Sequence, residues 1–430
     1  MNQALNQTLL PEKILKSTAA IVAIDGGDLP LGGGLLALLR PALLLLNPGG
    51  ILTLNSTDLA LRDDLPRWCR MQGHKYIELQ VSLVGSDLHF MERGPYPLLI
   101  GVRENGLRLL PTDGRMTTHD LIKLVPLPLV ADPISGFAPR GAQVENGGPR
   151  FPFNLNNSSR IAPPEIGKLY DQAVSSQWDA TRDIPWHKLP TLSNALESAV
   201  GQIMTFLAEN ELSALYLPSK FISKIHPAYV ETALVLASQL ADEARHIDVF
   251  MKRARGGGAG AGISSVATSQ SLLSLLETDD FIEAVFLLSV LGEGTFLDLL
   301  KFIETYAPDD VTSEIMRRVY GDEARHVFFG MAHLRHALSL DPGLYSRLEQ
   351  AVRRRAASLS ELSGAPEPVQ DALIVLAGGG TSPGQIRKGH DAYRELLQTM
   401  HSNRVKRLEH AGFSALEAQQ LSDLHTPNFM

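Results

Sequence analysis

The chain has 430 residues, a formal net charge of −8 and a single cysteine, Cys69. An acidic balance without a long basic stretch disfavours a nucleic-acid-binding role. One cysteine excludes an intrachain disulfide and any thiolate zinc or iron–sulfur site. The densest basic spot, Arg353, Arg354 and Arg355 in "AVRRRAA", reads as a solvated helix face.

With 44% hydrophobic and 20% charged residues, the composition is that of a globular protein, and the length predicts two or three domains. The opening "MNQALNQTLLPEK" lacks the charged-then-apolar layout of a signal peptide. The most apolar run, "LLALLRPALLLL" at 35–46, is too short to span a bilayer and contains Arg40 and Pro41. The expectation is a cytoplasmic protein with no membrane association.

The pattern over residues 15–95 is strand, helix, strand, helix, strand, strand. "TAAIVAID" (18–25) reads as a buried strand, "GGLLALLRPALLLL" as an apolar helix and "GGILTLNS" as a strand after a Pro-Gly-Gly turn. "LALRDDLPRWCRMQGH" is amphipathic and helical, and "KYIELQVSLV" with "SDLHFMERG" reads as a hairpin. This order predicts a small α/β sandwich. Asp64, Leu65, Pro66, Cys69, Gly73 and His74, following the Pro-Gly turn, resemble the TusA-like (SirA-like) family of sulfur-carrier domains. That family carries its reactive cysteine in a Cys-Pro-x-Pro turn before the first helix. Here the turn reads "DGGDLPLGGGLL", so persulfide transfer from it is ruled out. Cys69 falls on a helix, where a free cysteine is most often a small core residue.

Residues 96–161 are rich in Pro, Gly and short strands and read as a linking segment. Helical periodicity dominates over 162–345, with a helical extension over 346–430. One helix is expected at 191–217, stopping before Pro218, and a second from Pro227 to Arg255. "GGGAGAGISS" would then form a long flexible connection, followed by helices at 279–306 and 308–337. Four long helices with one long connection after the second fit a ferritin-like four-helix bundle. Two Gly-rich stretches, "LPLGGGLLALL" and "GGGTSPGQIRKG", lack the spacing or the lysine of nucleotide-binding loops and read as turns.

The pentapeptide Asp-Glu-Ala-Arg-His occurs twice, in "LADEARHIDVF" (240–250) and "VYGDEARHVFF" (319–329). Glu and His three positions apart share one helix face, so both can reach one metal ion. Two such pairs, Glu243 with His246 and Glu323 with His326, are the half-sites of a dinuclear carboxylate centre. A carboxylate is then required from each of the other two helices. Glu293 stands in the apolar "LLSVLGEGTFLDLLKF", where a buried charge is costly unless paired or metal-bound. "IMTFLAENELSALYLP" offers Glu209 and Glu211. Aligning "FLAENEL" with "VLGEGTF" selects Glu209 and implies duplication of a helix pair. Tyr216, seven residues after Glu209, could face the site, with core packing the commoner reading. His333, seven after His326, could be a third imidazole, with an ordinary histidine the commoner reading. Phe206, Phe286, Leu297 and Phe329 are expected to line a pocket beside the centre.

These motifs resemble the ferritin-like di-iron family, in the branch of the ribonucleotide-reductase small subunit and bacterial multicomponent monooxygenases. The resemblance implies Glu209, Glu243, His246, Glu293, Glu323 and His326 as ligands. It also implies that Asp242 and Asp322 hydrogen-bond the imidazoles and that Arg245 and Arg325 close the charge network. The implied cofactor is two iron ions, with Mn or a mixed Mn/Fe pair as alternatives, and O2 as co-substrate. The expected function is an oxygenase or oxidase of a small organic molecule, monooxygenase-like, with an external electron donor and a possible homodimer. The alternatives are a ferroxidase or metal-binding ferritin-like protein, and a non-catalytic docking protein using the TusA-like module.

Overall fold

The computed structural model describes residues 21–82, 85–101, 114–120, 125–161, 163, 166–341, 343–359 and 367–424. The expected start of the first strand (18–20), the tip of the hairpin (83–84) and the opening stretch weighed as a leader lie outside them. The chain divides into two compact units, Met1–Val102 with Gln143–Gly148, and Arg103–Ala142 with Pro149–Met430.

In the first unit the predicted order appears as β1 (Ile21–Gly27), α1 (Leu35–Leu44), β2 (Ile51–Ser56), α2 (Leu61–Met71), β3 (Lys75–Gln80) and β4 (Asp87–Glu92). The sheet order is β1-β2-β4-β3. Strands β1 and β2 are parallel, with Ile21 opposite Ile51, as a helix crossover requires. β4 runs antiparallel to both neighbours, with its Phe90 opposite Thr53 of β2. Both helices pack on one face. Leu35, Leu39 and Leu43 of α1 and Leu61, Leu65 and Cys69 of α2 meet Leu52, Leu54 and Met91 of the sheet. Cys69 is fully buried, and burial pushes its thiol up to about 12, so it is no thiolate at neutral pH. Cys69→Ser is expected to cost at most about 2 kcal/mol of stability, as a small core change does, and to leave any turnover intact. A denaturant titration beside an assay with the native substrate checks both.

The second unit is helical. A short α3 (Ser158–Ile161) and α4 (Ile166–Ser175) lead to the four principal helices. These are α5 (Asn194–Ile222), α6 (Val230–Gly256), a composite third helix and α10 (Asp310–Leu340). Ser193 caps α5 through Leu196 N, and Asp309 caps α10 through Thr312 N at 2.7 Å. α5 does not stop at Pro218 but continues one turn to Ile222. Pro218 is buried in the same core as Leu217 and Phe221, and that packing offsets the one backbone bond the proline cannot donate.

The third helix is α8 (Phe281–Val285), a π-helical segment Phe286–Glu293, and α9 (Gly294–Thr305). The π-helical segment is not visible in the periodicity, because each of its turns takes in an extra residue. The glycine-rich connection is not the free tether expected. It lies along α5, with Gly262 N donating to Thr205 Oγ1 at 2.7 Å and Gln202 exchanging hydrogen bonds with Ile263 N and O at 2.8 and 2.9 Å. Glycine is needed on the facing side of α5 because a Cβ on Gly201 would come within 2.7 Å of the Gly260 carbonyl of the connection. The connection also contains α7 (Val266–Leu276), a helix the sequence reading passed over.

After the bundle come α11 (Leu344–Leu359), α12 (Glu367–Gly378), α13 (Pro383–Ala411) and α14 (Ala415–Leu424). α12 packs on α5 and α13 on α9, and residues of both join the bundle's core. The stretch "GGGTSPGQIRKG" is the turn between α12 and α13. Ser382 and Gln385 form a capping box there, which accounts for the glutamine where a phosphate loop has lysine. Among the described residues no helix is long and apolar enough to cross a membrane.

Candidate metal centre

Each Asp-Glu-Ala-Arg-His motif lies mid-helix, one on α6 and one on α10, with its Glu and His turned into the bundle. Two groups of buried side chains have ligand atoms within 4.8 Å of one another: Glu211, Glu243, His246 and Glu323, and Glu243, Glu293, Glu323 and His326. The groups share Glu243 and Glu323. With that overlap, the motif glutamates, one further glutamate and one imidazole per group would hold two adjacent ions.

His246 Nδ1 stands 3.2 Å from Glu323, 3.4 Å from Glu243 and 3.6 Å from Glu211. His326 Nδ1 stands 3.1 Å from Glu243 and 3.3 Å from Glu323. Both imidazoles therefore point Nδ1 at the carboxylates. Their Nε2 atoms point outward to the aspartate of the opposite motif, His246 to Asp322 at 3.1 Å and His326 to Asp242 at 3.3 Å. A carboxylate accepts only, so it fixes the proton on Nε2 and leaves the Nδ1 lone pair facing inward, the tautomer that binds a metal.

The two arginines close this outer layer. Arg245 bonds Asp242 and reaches Asp322 at 2.9 Å, and Arg325 reaches Asp322 at 2.5 Å and Asp242 at 3.1 Å. Two aspartates and two guanidiniums cancel in charge, so the outer layer adds no net charge. Three further residues join, none singled out by the sequence reading. Trp178 Nε1 donates to Asp322 at 2.7 Å, Gln177 Nε2 donates to Asp242 at 3.0 Å, and Gln239 Nε2 donates to Glu293 at 2.8 Å. Gln239 could have been found, since it lies four residues before Glu243 on the same helix face. Trp178 and Gln177 precede the bundle, and no local signal marks them.

The choice between Glu209 and Glu211 is corrected. Glu211 is buried in the cluster. Glu209 is half-buried elsewhere, within reach of Ser264 in the connection, and burial raises its carboxyl. Residues two apart on a helix point about 200° apart, so only one can enter. The alignment that chose Glu209 assumed equal turns in α5 and the third helix. The π-helical segment ending at Glu293 breaks that equivalence. Tyr216 shares the Glu209 face and is 60% exposed, neither at the site nor in the core. His333 is buried but outside the cluster. Its Nε2 bonds the Arg160 carbonyl at 2.7 Å, its ring packs on Phe281 and Phe329, and burial pushes it down to about 4. Phe206 and Phe286 are core residues, the first tilted against Phe296 and the second stacked on Phe413.

The cluster is built for cations. Four glutamates amount to −4 when ionised, which two divalent ions would balance. Burying that charge bare costs several kcal/mol per group by the usual desolvation penalty, about the scale that forces protonation instead. Burial, then repulsion from Glu243 and Glu323, holds Glu211 well above the carboxylate range. Burial and Glu323 do the same to Glu293. Burial would raise Glu243 as well, but Glu211 and His326 close beside it outweigh burial and hold it low. Glu243 Oε1 and Oε2, Glu211 Oε1, Glu293 Oε2, Glu323 Oε1 and His246 Nδ1 are buried without hydrogen-bond partners. Such orphaned acceptors converging on one point are what a metal pair would satisfy. Oxygen donors with two imidazoles suit Fe or Mn.

The fold and site together define a helical bundle that buries a cluster of four glutamates and two histidines. No protein-family profile matches the sequence, and no curated protein does. Among solved structures, a variant of an R2-like ligand-binding oxidase with an aerobically reconstituted Mn/Fe cofactor aligns at 17% identity and a TM-score of 0.46. It covers 58% of this chain and 94% of that one. Another variant of that oxidase, with an Fe/Fe cofactor, aligns at 17% identity and 0.39, over 55% and 92%.

Proposed function

We propose that the chain is an O2-dependent non-haem oxidoreductase whose di-iron or Mn/Fe pair oxidises a small organic molecule. The pair would be held by Glu211, Glu243, His246, Glu293, Glu323 and His326. The observation that carries this reading is the pair of overlapping four-residue groups with orphaned inward acceptors. When bound, two reduced ions held by these residues would supply O2 with two electrons together. The chain's part is to keep both Nδ1 lone pairs inward, to balance the ligand charge and to exclude water.

Turnover of such a centre is proposed to draw on an external electron donor. The N-terminal α/β unit, whose one thiol is buried, is proposed to dock that donor or a second copy of the chain. Protein reconstituted with Fe(II) is expected to bind about two ions per chain, as a six-ligand dinuclear site does. It should then consume O2 with a rise in visible absorption. A stoichiometry of one or less in folded protein, with Mn(II) also tried, sinks the proposal. Oxygen uptake that depends only on added Fe(II), never on an organic substrate, replaces it with a ferroxidase.

A further inference from the structure

Glu293 and Glu211 are the two carboxylates that the four-residue groups do not share, and the chain treats them differently. Gln239 Nε2 donates to Glu293 Oε1 at 2.8 Å, and Ser289 stands beside the same carboxyl. Gln239 and Ser289 are each 2% exposed and lie among Leu236, Leu288 and Phe329. In such apolar surroundings little water competes for the amide, so the bond holds Oε1 firmly. Glu293 Oε2 is left buried without a hydrogen-bond partner.

The internal repeat lacks these groups on its other side. Gln239 lies four residues before Glu243, and Ser289 four before Glu293. The residues four before Glu323 and Glu211 are Val319 and Leu207. Both are fully buried, and neither side chain can donate a hydrogen bond. Glu211 Oε1 has no hydrogen-bond partner among the described residues, and Glu243, His246 and Glu323 surround its carboxyl. Glu293 is thus held by an amide from outside the cluster before any ion arrives, and Glu211 lacks the counterpart of that amide. A ligand already held in place gives up less freedom when it binds. We propose that Gln239, backed by Ser289, positions Glu293 and makes the half-sites unequal, so that the ion at Glu293 and His326 is held more tightly than the ion at Glu211 and His246. This rests on the reading of the cluster as a metal pair.

Co(II) is the probe, because its visible spectrum reports each half-site without turnover. Metal-free full-length protein titrated with Co(II) is expected to fill in two steps. His246→Ala should keep the tighter step, and His326→Ala should lose it. Gln239→Leu keeps the volume and removes the donor. It should weaken the tighter step by about tenfold or more, the usual effect of losing the outer partner of a ligand. The spectrum of that step should shift, and the weaker step should stay in place. Ser289→Ala serves if Gln239→Leu does not fold, with a smaller loss at the same step. Loss of the tighter step in His246→Ala instead of His326→Ala overturns the proposal. So does a folded Gln239→Leu with both steps within about twofold of the parent, well short of the effect of a positioning partner. Either result leaves the metal pair standing. Fewer than two ions per folded chain, of Co(II) or Fe(II), overturns both this proposal and the reading beneath it.

Discussion

Glu211→Ala is expected to remove one of the two metal ions and abolish the O2 reaction, while Glu209→Ala keeps both. Glu211 brings the carboxylate of α5 into the group with Glu243, His246 and Glu323. Without it, one ion is left with one imidazole and two shared glutamates. Glu209 is bonded to the connection instead, and its removal touches no ligand. Stability should move in opposite directions in the metal-free proteins. Glu211→Ala relieves a buried carboxyl crowded by Glu243 and Glu323 and should not lower the melting point. Glu209→Ala should cost no more than about 1 kcal/mol, the scale of a half-exposed substitution. Metal analysis, oxygen uptake and thermal unfolding on both variants decide the matter. Two ions retained in Glu211→Ala, or one lost in Glu209→Ala, would restore the alignment-based choice.

Why Glu209 looked right shows where sequence reasoning stopped. The motif glutamates and histidines were legible because i, i+3 spacing fixes them to one face wherever the helix is regular. Glu293 was legible because a lone acid in an apolar run needs a partner. The α5 carboxylate was not, since its register came from comparison with a helix that carries a π-helical segment, and hydrophobicity does not report the number of residues per turn. The glycine run 256–262 invites a flexible reading by composition. Its real constraint, the approach of its backbone to Gly201 and Gln202, is a tertiary contact absent from local pattern. The four helices, by contrast, followed from periodicity, because burial of an amphipathic face dictates it. Trp178 lay beyond reach for a simpler reason. It touches a residue 144 positions away, and only the fold brings the two together.

That contact leads to the second large effect expected. Asp322→Asn should weaken one metal ion by about 10–100-fold, the cost usual for losing the partner of a ligating imidazole. Four donors converge on Asp322: His246 Nε2, Trp178 Nε1, Arg245 and Arg325. Only an acceptor-only group can satisfy all four. An asparagine amide presents its own N–H to at least one of them. If that is His246, the imidazole must move its proton to Nδ1, which then faces the glutamates as a donor and cannot bind metal. If it is an arginine, a guanidinium loses its pair in a buried place. Asp242→Asn should act the same way on His326 and the other ion. Because Arg245 and Arg325 each bond both aspartates, the two substitutions should not be additive. Their coupling is measured by a double-mutant cycle on metal affinity, with the visible spectrum of Co(II)-loaded protein reporting which half-site has changed. Equal affinity in Asp322→Asn and the parent, with an unaltered Co(II) spectrum, would mean that the crossed aspartates pack the bundle without positioning its imidazoles.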